Sequence, residues 1–495
     1  MDRLCYKSTR NQERTITASE AILKGLAEDG GLYVPTFIPK LDVPMGELKD
    51  KCYQEIAYDV MKQFLTDFTE EELKSCIQQA YDDKFDIEEI TTLVKVDETY
   101  YLELFHGATI AFKDMALSIL PYFMTMAAKK NHVKNDVVIL TATSGDTGKA
   151  ALAGFADVEH TKIIVFYPKE GVSNIQKLQM VTQKGDNASV VAIHGNFDQA
   201  QSGVNAIFED SELAQEMADA GYQFSSANSI NIGRLVPQVV YYVYAYAKLL
   251  QNEEIIDGEE INVVVPTGNF GNILAAYYAK QMGVPIAKLI CASNENKVLF
   301  DFFETGVYDK NRKFVLTTSP SMDILISSNL ERLIYAIADA DKNAELMGAL
   351  KSQGVYEITD EMKEKMKDFV AGYATEDEVK ATIQKIYQNT GYVLDTHTAV
   401  AATVCEDYRA KCQDSGKCLI ASTASPYKFA RSVMTAIDPK YKDQTEFELI
   451  DALKEVSHVE VPKAIEEIRD AKVLHTCECN SSDMKQVVKD ILNIV

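Results

Sequence analysis

The stretch that decides the fold is Val137-Val138-Ile139-Leu140-Thr141, followed by Ala142-Thr143-Ser144-Gly145-Asp146-Thr147-Gly148 and a helical pattern from Lys149. An unbroken apolar run of this length reads as a strand covered on both faces. The small and hydroxyl residues after it read as a loop, and the helix follows at once. Runs at 162–167 (KIIVFY), 189–193 (SVVAI), 261–266 (INVVVP), 289–292 and 418–421 repeat the pattern, each leading through Gly, Ser, Asn or Asp into a helical stretch. Strand, loop and helix in that order predict an α/β fold with doubly wound, mostly parallel sheets.

Outward from this centre the texture changes. Residues 1–95 predict a mostly helical N-terminal domain, with apolar residues at three- and four-residue spacings over 18–27, 46–67 and 70–81. Asp29 to Pro35 (DGGLYVP) reads as a turn into an extended stretch. Residues 320–390 are acidic and carry helical patterns without strand signals, which predicts a helical insertion before the last strands.

The chain has 495 residues, 46% hydrophobic and 25% charged, ordinary values for a chain folded throughout into several domains. Fifty Lys and Arg against 74 Asp and Glu give a formal charge of −24, which argues against nucleic acid and anionic membranes as partners. No leader pattern or apolar run of membrane-spanning length is visible, so a cytoplasmic protein is expected. The nine cysteines are odd in number and scattered, as free thiols in a reducing compartment would be. His475, Cys477 and Cys479 do not have zinc-site spacing, and no metal is expected.

In an open α/β sheet, ligands sit at the carboxyl ends of strands. Three segments there carry chemistry. The loop 142–148 offers hydroxyls and a helix N-terminus to an anion, or is a turn with helix caps. Gly148-Lys149 does not complete a nucleotide-binding P-loop, which needs Gly at 143 and a hydroxyl at 150, where this chain has Thr143 and Ala150. The loop 266–272 (PTGNFGN) has two glycines before a helix, suited to a single phosphate monoester, or to a bare turn. In His106 to Asp114 (HGATIAFKD), Lys113 is surrounded by apolar positions. Burial would free its amine as a Schiff-base nucleophile, whereas a snorkelling lysine would merely cover the core.

Together these segments resemble threonine synthase, a pyridoxal-phosphate enzyme of the tryptophan synthase β-like fold. HGATIAFKD is similar to the family's cofactor-lysine segment, TSGDTG to its substrate loop, PTGNFGN to its cofactor-phosphate loop and SANSINIGR (226–234) to its substrate-phosphate segment. Tyr6-Lys7-Ser8-Thr9-Arg10 and Asp29 to Pro35 resemble the N-terminal domain of the bacterial and fungal branch. The resemblance implies a two-lobed catalytic region over 96–495, with the smaller lobe at roughly 135–240. It implies pyridoxal 5'-phosphate held covalently by Lys113 and, through its phosphate, by Gly268, Asn269, Phe270, Gly271 and Asn272. Thr423 would face the pyridine nitrogen. Ser425 stands where the family commonly has His, and His397 is either a further site residue or a core histidine.

The activity implied is a lyase reaction, the last step of threonine biosynthesis. O-phospho-L-homoserine and water become L-threonine and phosphate in a monomer or homodimer. Lys113 would move the Cα proton, Thr143, Ser144, Asp146 and Thr147 would hold the substrate carboxylate, and Ser229, Asn231, Arg234 and Thr147 its phosphate. A dehydratase or another synthase of the same fold would not need Arg234, and a catalytically silent relative would not need Lys113.

Overall fold

The strands come first because they place everything else. In the computed structural model, which describes residues 4–143, 145–170 and 172–494, the apolar runs form two sheets. The larger has six strands in the order Phe369–Tyr373, Ile286–Ser293, Ile261–Pro266, Cys418–Ser422, Thr99–Glu103 and Thr92–Val96. All its neighbours are parallel except the last pair, a hairpin with Val96 opposite Thr99. The smaller sheet is wholly parallel, ordered Cys477–Asn480, Ala188–His194, Thr161–Pro168, Asp136–Ala142 and Tyr222–Ser225. Parallel strands need both faces covered. The strand Ile261–Pro266 is accordingly buried at every residue, and Val137 to Ala142 likewise.

The helix Ile232–Gln251 is buried over nearly all its faces, packed on Tyr53–Phe64 and Gly271–Met282. Its aliphatic and tyrosine side chains each contribute about 1.5–3 kcal/mol of burial. Any polar group on it must therefore find its partner inside the protein.

Three expectations are corrected. The pattern over 46–67 is two helices, Met45–Leu48 and Tyr53–Phe64, because Cys52 is extended and the Glu55 carboxylate accepts its N–H at 2.9 Å, starting a new helix. The segment 320–390 contains strands. Phe369–Tyr373 is the edge of the six-stranded sheet, and Val355–Glu357 pairs antiparallel with Val307–Asp309. As an edge strand it buries only Phe369 fully, so it lacks the unbroken apolar run of the central strands. The strand Thr92–Val96 belongs to the six-stranded sheet, so residue 95 lies inside a catalytic-lobe element.

The N-terminal region carries the helices Ala18–Lys24, Met45–Leu48, Tyr53–Phe64 and Glu70–Ala80 and an antiparallel pair of strands, Tyr6–Ser8 with Tyr33–Pro35. The cysteine segment near the C-terminus is the strand Cys477–Asn480, which adds an edge to the small sheet, with Cys479 buried and Cys477 exposed. Among the described residues no helix is long and apolar enough to cross a membrane.

Candidate active site

The loops after Glu103, Ala142, Pro266 and Ser422 converge at the carboxyl ends of their strands. The Lys113 segment leaves the strand Thr99–Glu103 and is stitched to the segment after Ser422: Phe112 N–H donates to Thr423 O at 2.8 Å and Ser425 N–H to Ile110 O at 3.0 Å. Ile110 takes a left-handed conformation (φ 53°) to turn the chain inward. The buried Asp114 carboxylate accepts from Thr109 N–H at 2.8 Å and Thr109 Oγ1 at 2.6 Å, closing the turn that aims Lys113.

Lys113 Nζ donates to Ser321 Oγ at 3.1 Å and lies 3.5 Å from Asp146 Oδ2. Ser321 Oγ in turn donates to Asp146 Oδ2 at 3.1 Å. Asp146 Oδ1 accepts from Gln176 Nε2 at 2.8 Å and lies 3.2 Å from Lys428 Nζ. Burial lowers the Lys113 amine pKa, and the cations Lys428 and Arg234 add to the effect, while Asp146 opposes it. Burial works against the Asp146 carboxylate, yet Lys428, Lys113 and the Gln176 hydrogen bond hold it well below the usual range. The lysine is thus desolvated in a way that favours its neutral, nucleophilic form.

Ser321 is held from behind. Its N–H donates to His397 Nε2 at 3.2 Å, and His397 Nδ1 meets the buried Asp395 Oδ2 at 3.0 Å. This bonding assigns the proton to Nδ1, leaving Nε2 as acceptor. His397 is a site residue one step removed, and the ring of Phe429 packs on it at 4.8 Å.

The loop after Pro266 has the form of a phosphate cradle. Phe270 is left-handed (φ 64°), and the helix begins at Gly271, two residues earlier than the pattern suggests. Asn269 O accepts from Asn329 N–H and Asn329 Nδ2, both at 3.0 Å, and Gly268 O from Ser327 Oγ at 2.6 Å. With the carbonyls turned outward to these donors, the amides at the helix start point inward. Asn272 accepts from Tyr242 Oη, but its buried Nδ2 has no partner. An orphaned donor beside a helix N-terminus suits a phosphate oxygen. A Lys113 side chain only 12% exposed and a buried Thr423 whose hydroxyl has no hydrogen bond among the described residues complete a set that fits pyridoxal phosphate.

On the substrate side the placements differ from expectation. Thr143 Oγ1 accepts from Gly145 N–H and Gly148 N–H, both at 2.9 Å, so it shapes the loop and caps the helix Asp146–Phe155. Ser144 lies outside the described residues. Asp146 faces amines rather than an incoming carboxylate, which it would repel. Thr147 is half-buried on the same turn. Ser229 Oγ is 3.5 Å from Asn329 Nδ2. Asn231 is a correction: fully buried, it donates to Ile22 O at 2.9 Å and Ser226 O at 3.0 Å and accepts Gly233 N–H at 2.9 Å. Both donors of its amide are taken by backbone carbonyls, so neither is free for a substrate phosphate.

Arg234 is buried, donates to Ala227 O at 2.7 Å, and leaves Nε without a partner. No carboxylate forms an ion pair with it among the described residues, and burial lowers its pKa to about 10. An arginine on a solvated face paired to an acidic neighbour is therefore excluded. Lys428, Ser321, Gln176 and Asn329 are the participants missed from sequence. A lysine inside the apolar segment ASPYKFA was the available signal for Lys428, and Ser321 carried none.

Residues 5–81 match the family Threonine synthase N terminus, 85–423 Pyridoxal-phosphate dependent enzyme, and 398–474 Threonine synthase, C-terminal. The chain is 41% identical over 444 residues to threonine synthase-like 1 of Homo sapiens, covering 86% of this chain and 59% of that protein. It thus spans under two thirds of the length of that relative. It is 36% identical over 465 residues to threonine synthase of Saccharomyces cerevisiae, covering 87% of this chain and 89% of that one. The crystal structure of pyridoxal-phosphate-bound threonine synthase from Brucella melitensis superposes with a TM-score of 0.85 at 33% identity, covering 99% of both chains. The chain belongs to the threonine synthase family of pyridoxal-phosphate-dependent enzymes.

Proposed function

We propose that this chain is a threonine synthase that converts O-phospho-L-homoserine and water into L-threonine and phosphate. The observation that carries the substrate is Arg234. A guanidinium taken out of water without a carboxylate is costly, and its cost is offset when an anion docks on it. It lies close enough to Lys113 to lower that amine's pKa, so the anion it takes belongs to a molecule at the same centre.

Pyridoxal phosphate, when bound, supplies an electron sink for chemistry at the carbon bearing the substrate amine. Lys113 holds its aldehyde carbon and moves the proton at substrate Cα. Gly268, Asn269, Phe270, Gly271 and Asn272 hold its phosphate, and Thr423 offers a neutral hydroxyl to its ring nitrogen. Arg234, Ser229 and Thr147 hold the substrate phosphate, and the amides of the 143–148 turn its carboxylate. Thr143 shapes that turn, and Asp146 sets the charge beside Lys113. Nine free cysteines support a reducing compartment, hence a cytoplasmic setting.

The test is release of inorganic phosphate from O-phospho-L-homoserine by the pyridoxal-phosphate-loaded protein, with threonine identified as the amino-acid product. Turnover of threonine or serine to an oxo acid, with phosphohomoserine inert, would replace this reading with a dehydratase.

A further inference from the structure

One carboxylate at this site faces two lysines, and the geometry ranks them. The Lys428 side chain is fully buried (0% exposed), and its Nζ donates to Thr109 O at 2.8 Å and lies 3.2 Å from Asp146 Oδ1. Lys113 Nζ stands 3.5 Å from Asp146 Oδ2 and gives its hydrogen bond to Ser321 Oγ instead, at 3.1 Å. Asp146 satisfies its remaining capacity on Gln176 and Ser321. A buried ammonium must be paired, and among the described residues Lys428 forms an ion pair with no other carboxylate.

We propose that Lys428 is a positioning residue for Lys113, an ammonium that holds the Asp146 carboxylate to itself and so leaves the Lys113 amine free to shed its proton. Only a neutral amine attacks an aldehyde: its lone pair makes the carbon–nitrogen bond, and the carbonyl oxygen departs as water with the two amine hydrogens. The inference rests on the reading of Lys113 as the cofactor lysine.

The surrounding charges act in the same sense or stand further off. Arg234, on the helix Ile232–Gln251, adds a second like charge facing Lys113. His397, on the helix Thr396–Cys412, faces Asp146. The Asp114 carboxylate and the Lys149 amine also lie within electrostatic reach of Lys428. Removing Lys428 would leave Lys113 as the nearest cation to Asp146, and the attraction would then hold the proton on Lys113.

Lys428 also ties the lobes together, from Thr109 beside the Lys113 turn to Asp146 at the start of a small-lobe helix. A tie alone would change stability and leave the Lys113 titration in place, so the two roles separate experimentally. The full-length apoprotein is treated with cyanate from pH 6 to 10.5, and carbamoylation of Lys113 is followed by peptide mass spectrometry. The rate tracks the neutral amine.

Lys428→Met is expected to raise the midpoint by about one unit, slowing labelling about tenfold at pH values below both midpoints. Lys428→Arg keeps the midpoint of the parent protein. An unmoved or lowered midpoint in Lys428→Met overturns the proposal. Should that variant not fold, Lys428→Met/Asp146→Asn, which leaves no buried carboxylate unpaired, is compared with Asp146→Asn. With no carboxylate left for Lys428 to hold, the proposal expects these two midpoints to agree to within a few tenths of a unit, and fails if the double variant still stands about one unit higher. Borohydride fixation of pyridoxal phosphate followed by peptide mapping tests the underlying reading separately: a tag on Lys113 supports it, and a tag on another lysine overturns it.

Discussion

Arg234 shows how a single residue narrows a function. Its Nε is buried and unpartnered, and among the described residues its guanidinium makes one hydrogen bond, to the Ala227 carbonyl, so most of its donor fork is available to an anion. Arg234→Ala should lower kcat/KM for O-phospho-L-homoserine about 30- to 1000-fold, equivalent to roughly 2–4 kcal/mol of charge-assisted binding. Cofactor absorbance and the thermal midpoint should change little, because no ion pair is lost. Steady-state kinetics beside thermal unfolding checks both parts, and near-normal kcat/KM would sink the substrate assignment. Lys113→Ala should abolish turnover and covalent cofactor retention while the protein still unfolds cooperatively, as borohydride fixation and calorimetry would show. Arg234 was singled out by the resemblance of SANSINIGR to a family segment, and Lys113 by its apolar surroundings, which a snorkelling lysine would share. Ser321 was not, since a serine carries no signature and its contact with Lys113 spans 208 positions of sequence.

At the scale of elements, the loop 266–272 is shaped by the short 3-10 turn Pro320–Met322 laid against Gly268. A Cβ on Gly268 would overlap the Ser321 carbonyl oxygen, whereas one on Gly271 would meet Asn329 Nδ2 at an ordinary 3.4 Å. Gly268→Ala should therefore displace the turn that presents Ser321 and lower both thermal stability and cofactor affinity. Gly271→Ala should leave stability nearly unchanged and weaken cofactor alone, by crowding the phosphate at the helix start. Equilibrium dialysis of pyridoxal phosphate beside calorimetry separates the two, and equal behaviour of both variants would contradict this geometry. Central strands were readable because burial on both faces writes an unbroken apolar run. The edge strand Phe369–Tyr373 was not, because one buried residue in five leaves no such run. The break at 49–52 was hidden for another reason: the apolar spacing of 46–67 continues across it, and only the Glu55 bond to Cys52 N–H restarts the helix. Asn231 was misjudged because a substrate-segment asparagine and a helix cap look alike until the Ile22 carbonyl arrives from 209 residues away.

Across the whole molecule, two polar clusters join the N-terminal region to the catalytic lobes in addition to its apolar packing. At one, the Glu331 carboxylate accepts from Thr9 Oγ1 at 2.6 Å and from Arg10 Nε and Nη2 at 2.9 and 2.8 Å, while the neighbouring Arg332 donates to Tyr33 O, Ile230 O and Asn329. Through Asn329, which donates to Asn269 O, that brace reaches the loop 266–272, which gives the YKSTR and GGLYVP motifs a structural reason. At the other, His106 Nδ1 lies 2.7 Å from Asp86 Oδ1, in the connection from the N-terminal helices, and Nε2 lies 3.0 Å from Glu103 Oε2, at the end of a catalytic strand. Burial pulls the imidazole pKa down, but the two carboxylates prevail and push it up to about 9 from its ordinary 6.5. Since the folded value is the higher one, this brace contributes fully below about pH 6.5 and is lost as pH rises through 9. The bare shift corresponds to about 3 kcal/mol, and Asp86 is half exposed, so screening reduces the contribution to about 1–2 kcal/mol. Denaturant unfolding of the parent protein and His106→Asn at pH 6 and pH 9.5 measures it. The parent should be more stable by that amount at pH 6, and the gap should shrink toward zero at pH 9.5. A gap that stays constant with pH would show that His106 contributes by packing rather than by charge.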